Sequence, residues 1–369
     1  MSNILDYVKQ HKNKTLKEFP FNNVDNVILS SISYLDFGSI LKNRKLSVEE
    51  AGYLFFNKYT KKELNNNLFS VTAAIKIFKA IYKTNRYKNL ILYNYIYKTS
   101  INKQFSAVFI DIDENITFIS FEGTDELVSG WREDAELVYK YPVESQKEAI
   151  KYINRNISMF SNRDYLVGGH SKGGNLALVA TMNANPIVRS KIKTIYMNDG
   201  VGLKEKQLNS KKYKCVKNRI VRIIPDHSIF GLINKHDVDP IVIYSKKKGV
   251  MAHNILYWET EGTDFVPAKL SLFSKKLNEK LKNWIETYDD NQRKEVVDDI
   301  FQIFARANIT NVLAIKKGTI NKLISIRQES KRLSPKSKKA LDELINLLIA
   351  LLKEESSNYI SSKFSKLKH

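Results

Sequence analysis

The chain is poor in cysteine, in long apolar runs and in acidic charge, and each shortage excludes something. A single cysteine, Cys215, rules out any disulfide within the chain and any thiolate zinc site. It stands in a polar, basic stretch far from any histidine and reads as inert. The segment from Met1 to Thr15 has no continuous apolar run after its first charges, so it does not read as a signal peptide. The longest apolar stretch, Leu344 to Leu352, is broken by Asn346 and is about half of what a bilayer span requires. A cytoplasmic location is therefore expected. No His-Glu-x-x-His or other clustered ligand spacing appears, so neither a metal nor any other cofactor is expected. No solenoid-type repeat is visible.

Basic residues, by contrast, are abundant. Sixty Lys and Arg stand against 39 Asp and Glu, a net charge of +21. Such a charge attracts polyanions, either nucleic acid or an anionic membrane. The chain is also rich in Asn and Ile, so much of the basicity reads as compositional drift over a solvated face. With 43% hydrophobic residues in 369, the chain can bury a large core.

Val24 to Leu41 carries apolar residues at helical spacing, and Val48 to Phe56 and Phe69 to Tyr82 read as further helices. Phe105 to Ile112 and Ile116 to Phe121 then read as a hairpin about Asp113-Glu114-Asn115. Beyond it, short strands (Tyr165 to Val167, Thr194 to Met197, Arg219 to Ile224, Ile241 to Tyr244) alternate with helices over Ser145 to Phe160 and Asn175 to Met182. Such alternation gives a mainly parallel sheet covered by helices on both faces. Past Pro267 the pattern is all-helical, with Leu341, Leu344, Ile345, Leu348 and Leu352 on one stripe. Residues 1–265 are expected to form the α/β domain and 266–369 a basic helical extension, unless the latter packs as extra helices on the same core.

Gly169-His170-Ser171-Lys172-Gly173 lies between a strand and a helix. A serine hydroxyl attacks only when it is exposed, fixed beside backbone donors and deprotonated by a base. A Gly-x-Ser-x-Gly turn supplies the first two conditions, since glycines let strand and helix approach closely. Ser171 is thus the candidate nucleophile, and the amide of Lys172 at the helix start is a candidate oxyanion donor. In the order serine, acid, histidine, His11 is excluded, His369 is terminal, and His170 adjoins the serine and is expected to point elsewhere. His227, His236 and His253 remain; His253, in a loop just after the last strand, is the candidate base. Asp226 after the strand Arg219 to Ile224 is the first candidate acid, with Asp199 after the preceding strand as the alternative and Asp237 and Asp239 behind them.

The elbow, continued by Gly174-Asn175-Leu176-Ala177, resembles that of the bacterial "domain of unknown function 2974" family, which is similar to class 3 lipases. Asp25 to Phe37, Phe121 to Asp125, Trp131 to Asp134, Asn198 to Leu203, Ser228 to Gly231 and Met251 to His253 match its motifs in order. The resemblance covers about residues 20 to 262 and implies an α/β-hydrolase with lipase-like or esterase-like activity on an acyl ester. It implies that Thr124 holds the first oxyanion position. Trp131 and Asp134 read as packing and loop-pinning residues. The sequence departs from the family at Glu122, Val201 and Ala252. Alignment to class 3 lipases puts the acid nearer Ser228 than Asp226.

Three functions compete. The first is a serine hydrolase of small-molecule or lipid esters, with its basic surface at anionic headgroups. The second is a catalytically silent hydrolase fold that binds or scaffolds, whose signature is a histidine with no carboxylate beside it. The third is polyanion binding through Lys275, Lys276, Lys316, Lys317, Lys331, Arg332, Lys336, Lys338 and Lys339. Aromatic residues are sparse among these, which argues against nucleic acid.

Overall fold

The computed structural model describes residues 2–65, 69–100, 103–124, 128–306, 335 and 338–346. Two short strands, β1 (Ser2–Asn3) and β2 (Leu46–Ser47), precede the main strands β3 (Ile91–Ser100), β4 (Lys103–Asp111) and β5 (Ile116–Phe121). The later strands are β6 (Asp164–His170), β7 (Ile192–Asn198), β8 (Ile220–Pro225), β9 (Ile241–Ile243), β10 (Glu259–Glu261) and β11 (Asp264–Phe265). β2 to β9 form one sheet in sequence order; β1, β10 and β11 form a small separate one. β2 to β5 pair antiparallel and β5 to β9 pair parallel. This is the α/β-hydrolase architecture expected from the sequence.

The expected hairpin is present, its turn closed by amides of Asn115 and Ile116 donating to Asp113 Oδ1 at 2.7 and 2.8 Å. β3 was not foreseen: it carries Asn94, Lys98 and Thr99 and is mostly half-buried, so it lacks the clean apolar alternation that marks a core strand. In β4, Val108 and Ile110 face one core while Phe105, Ala107 and Phe109 face the other. Phe118 and Ile119 of β5 split the same way. This two-residue period is what a sheet covered on both sides requires.

Helices Ile4–His11, Asn23–Ile32, Val48–Lys58 and Phe69–Ile81 cover the first face. Glu144–Asn156 and Lys172–Asn183 cover the second. The expected helix from Val24 to Leu41 is two pieces, Asn23–Ile32 and Gly38–Leu41. The first begins with a capping box of Asn22 and Asp25. The break after Ile32 leaves Tyr34 buried beneath the elbow.

Past β11 the described chain is helical, Leu272–Thr287 and Asp290–Arg306, in keeping with the all-α extension. Leu277 and Leu281 pack with Ile229, Phe230 and Val250, and Ser271 N donates to Asp226 O at 2.8 Å. Of the expected apolar stripe, Leu341, Leu344 and Ile345 are described; Leu348 and Leu352 lie outside the described residues, as do Lys316, Lys317, Lys331, Arg332 and Lys336. Among the described residues no helix is long and apolar enough to cross a membrane.

Candidate active site

Parallel strands that run the same way bring their carboxyl ends to one edge, and loops after those ends form the site in such sheets. Here β5, β6, β7 and β8 end at Phe121, His170, Asn198 and Pro225. The residues that follow them, Thr124, Ser171, Asp199 and Asp226, therefore gather at that edge. The loop after β9 returns His253 to it, inside the short helix Gly249–His253.

Ser171 occupies the turn between β6 and the Lys172–Asn183 helix, with φ +58° and ψ −132°. That left-handed backbone is strained for a residue with a Cβ. It persists because both arms are pinned. Ser171 N donates to Asn198 O at 2.9 Å, and Gly174 N donates to Ser171 O at 3.1 Å. Gly169 and Gly173 make the close approach possible, for a Cβ on Gly173 would lie 2.2 Å from Phe121 O. The helix dipole begins at the serine, so its positive end faces the space above Ser171.

His253 Nδ1 lies 2.6 Å from Asp199 Oδ2. Asp199 is fully buried and has φ +48°, a conformation Asp tolerates better than most residues. Its other oxygen, Oδ1, accepts from Ser228 Oγ at 2.5 Å and from Gly231 N at 3.0 Å. Three donors thus converge on one carboxylate. The His253 ring is also held by its faces: its centroid lies 4.2 Å from that of His170 and 4.3 Å from that of Phe230.

Asp226, the first candidate acid, does not reach His253. Its Oδ1 accepts from Ser245 N at 3.1 Å and from His227 N at 3.0 Å, which turns the side chain toward the loop after β9. Burial raises its pKa above the usual carboxylate range, against the amides of Ser245 and His227. The carboxylate on His253 is the alternative, Asp199. Ser228, near which the alignment to class 3 lipases was expected to put the acid, donates to that carboxylate. Nor does His170 point elsewhere, as expected from its place in the turn: its ring packs on that of His253. His227 lies beside Asp226, with its Nε2 4.0 Å from Asp226 Oδ2. His236 is held neutral by burial.

On the opposite side of Ser171, the Gly123–Thr124 loop passes so close that a Cβ on Gly123 would sit 3.0 Å from Ser171 Cβ. Thr124 Oγ1 donates to Asp134 Oδ1 at 2.7 Å, which fixes the loop. Lys172 turns its side chain away into the core. Its Nζ donates to Glu133 Oε2 at 3.1 Å and lies 3.7 Å from Asp134 Oδ1. Burial opposes the Lys172 charge, but Asp134 and Glu133 outweigh it and hold its pKa above the usual range. Glu133 also accepts from Ser145 N at 2.7 Å. Glu133 and Lys172 therefore form a buried ion pair, with the half-buried Asp134 beside it, that anchors both Thr124 and the helix start. The sequence reading gave Asp134 a loop-pinning role and the Lys172 amide an oxyanion role but left the ion pairing hidden, since nothing local says that Glu133 and Lys172, 39 apart in sequence, share a core.

Ser171, His253, Thr124 and Asp134 line one cavity of about 20 Å³, walled by Phe69, Trp131, Phe230 and Val250. Phe69 comes from the N-terminal helices and was not foreseen as a site residue. Within this cavity no hydrogen bond joins Ser171 Oγ to His253. Among the described residues no cluster of His, Cys, Asp and Glu is suited to a metal ion.

Comparison with known proteins gives three findings. No curated protein matches the chain. A solved structure of the M37 lipase aligns at 16% identity with a TM-score of 0.33, over 56% of this chain and 68% of that one. The family model described as Mbeg1-like matches residues 81–302, which is more than half of the sequence and takes in the elbow, Asp199 and His253. The chain belongs to the Mbeg1-like family.

Proposed function

We propose that the protein is a serine hydrolase that cleaves a carboxylic ester through an acyl-enzyme on Ser171. The observation that carries this reading is the contact of His253 Nδ1 with Asp199 Oδ2 at 2.6 Å, in one cavity with a serine on a strained strand-to-helix turn. Asp199 fixes the ring so that Nε2 is the edge left to take the Ser171 proton. Ser171 Oγ then adds to the ester carbonyl. The oxyanion that forms is met by the amides of Lys172 and Thr124, with the helix dipole behind the first. His253 passes the proton to the leaving alcohol, the alcohol departs, and water repeats the sequence to release the acid.

The apolar walls at Phe69, Trp131, Phe230 and Val250 suit an acyl chain. The resemblance of the elbow to that of the domain of unknown function 2974 family, itself similar to class 3 lipases, supports a lipid-like ester, and the net charge of +21 suits contact with anionic headgroups. The signature of a silent site, a histidine without a carboxylate, is not met at His253.

Turnover of a series of p-nitrophenyl acyl esters tests the proposal. The expected result is hydrolysis by the wild type with an initial burst of nitrophenol, and none above background by Ser171→Ala. Equal rates for the two proteins would refute it.

A further inference from the structure

His170 is absorbed by none of the steps above, yet both of its ring nitrogens have partners. Nε2 lies 2.9 Å from the carbonyl oxygen of His253. A carbonyl only accepts, so Nε2 carries the proton. In a neutral ring Nδ1 is then an acceptor, and Tyr34 Oη stands 3.1 Å from it as the donor. Burial, with His253 beside it, keeps His170 well below the usual histidine range and therefore neutral. The same ring backs His253 at 4.2 Å, with 34° between the planes. Tyr34 also sits under the oxyanion loop, since a Cβ on Gly123 would meet its hydroxyl at 2.1 Å.

We propose that Tyr34 and His170 are a buried positioning pair that sets where the base stands. The His253 carbonyl sets the His170 tautomer, and Tyr34 Oη donates to the Nδ1 that is left as the acceptor. His170 ties the His253 backbone to the elbow by one hydrogen bond and supports the imidazole on one face, while Phe230 supports the other. Two hydrogen bonds thus join three distant segments, at residues 34, 170 and 253, at the point where nucleophile and base must register. Neither residue reaches the reacting atoms, and the proposal rests on the reading of Ser171 and His253 as nucleophile and base. A displacement of about 1 Å at such a place costs on the order of a hundredfold in rate.

Three variants separate the parts. His170→Phe keeps a ring face but removes the donor, His170→Gln restores an amide donor at about the same reach, and Tyr34→Phe removes a single oxygen. His170→Phe is expected to lower kcat by about thirtyfold with KM within about twofold, as misplacement of the base predicts. His170→Gln should recover most of that loss, and Tyr34→Phe should lose about fivefold. The resonance of the His253 Nδ1 proton, which reports its bond to Asp199 without any substrate, is expected to move in His170→Phe and Tyr34→Phe and to return toward wild type in His170→Gln. Wild-type kcat and an unmoved resonance in His170→Phe and Tyr34→Phe would overturn the proposal. So would a loss carried by KM, or one that tracks melting temperature and is not restored by His170→Gln. Should the wild type hydrolyse no ester, the serine-hydrolase reading fails, and the resonance still decides whether the pair positions His253. Should His170→Phe fail to fold, Tyr34→Phe decides by the same two readouts.

Discussion

Two aspartates follow two neighbouring strands at the same edge of the sheet, Asp199 after β7 and Asp226 after β8, and they face opposite fates. Asp199 has φ +48° and turns its carboxylate to His253, where Ser228 Oγ and Gly231 N complete its coordination. Asp226 spends its Oδ1 on the amides of His227 and Ser245 and so secures the loop after β9. Position at a strand end thus does not by itself bring a carboxylate to His253. The backbone conformation of the first turn residue decides the direction, and the donors waiting there decide what the carboxylate does.

The comparison is tested most strongly by neutralising each aspartate in turn. Asp199→Asn is expected to lower kcat by about ten-thousandfold, as loss of the orienting carboxylate does in serine hydrolases generally. Asp226→Asn keeps the Oδ1 acceptor, and its kcat is expected within about twofold of wild type. Steady-state kinetics on one ester reads both, and a larger loss in Asp226→Asn than in Asp199→Asn would reverse the assignment.

A smaller effect is expected at the second layer. Ser228→Ala removes one of the donors to Asp199 Oδ1 and is expected to reduce kcat by about tenfold, since Gly231 N and His253 remain. Asp226→Ala goes the other way. It strips the amides of Ser245 and His227 of their acceptor and is expected to lose about 1–3 kcal/mol of stability while activity below the melting range is kept. Urea unfolding of the two variants checks this: Asp226→Ala should lower the midpoint more than Ser228→Ala does.

The last effect expected is on the pH dependence of folding. His170 and His236 are held neutral by burial, well below the ordinary histidine value of about 6.5. Their unfolded forms take up protons below that value while the folded forms do not, so stability is full above about pH 6.5 and falls as the pH drops through it. Unfolding midpoints measured from pH 8 to pH 5 should show this decline, and a flat curve would contradict it.

The sequence made the elbow legible because its chemistry is local: five consecutive residues across the junction of a strand and a helix, with glycines where a Cβ would strike Phe121 O. The hairpin about Asp113 and the parallel strands β6 to β8 were legible for the same reason, a short period and a clear turn residue. What stayed hidden depends on contacts between distant segments. The choice between Asp199 and Asp226 turned on Ser228, Gly231 and Ser245, none of which marks its partner in sequence. The burial of the Lys172 side chain with Glu133 was equally silent, because lysine ordinarily signals surface. Phe69 enters from a helix, and Tyr34 from the break between two helices, in a region whose role in the sequence reading was only to cover the sheet.

The central claim is that Ser171 is a nucleophile activated by His253 and Asp199. Labelling with a fluorophosphonate, followed by mass mapping of the modified peptide, tests it most directly. The account predicts one adduct, on Ser171, formed as fast in Asp226→Asn as in the wild type and far more slowly in Asp199→Asn. No adduct on the wild type, or labelling of Ser171→Ala to the same extent, would contradict it.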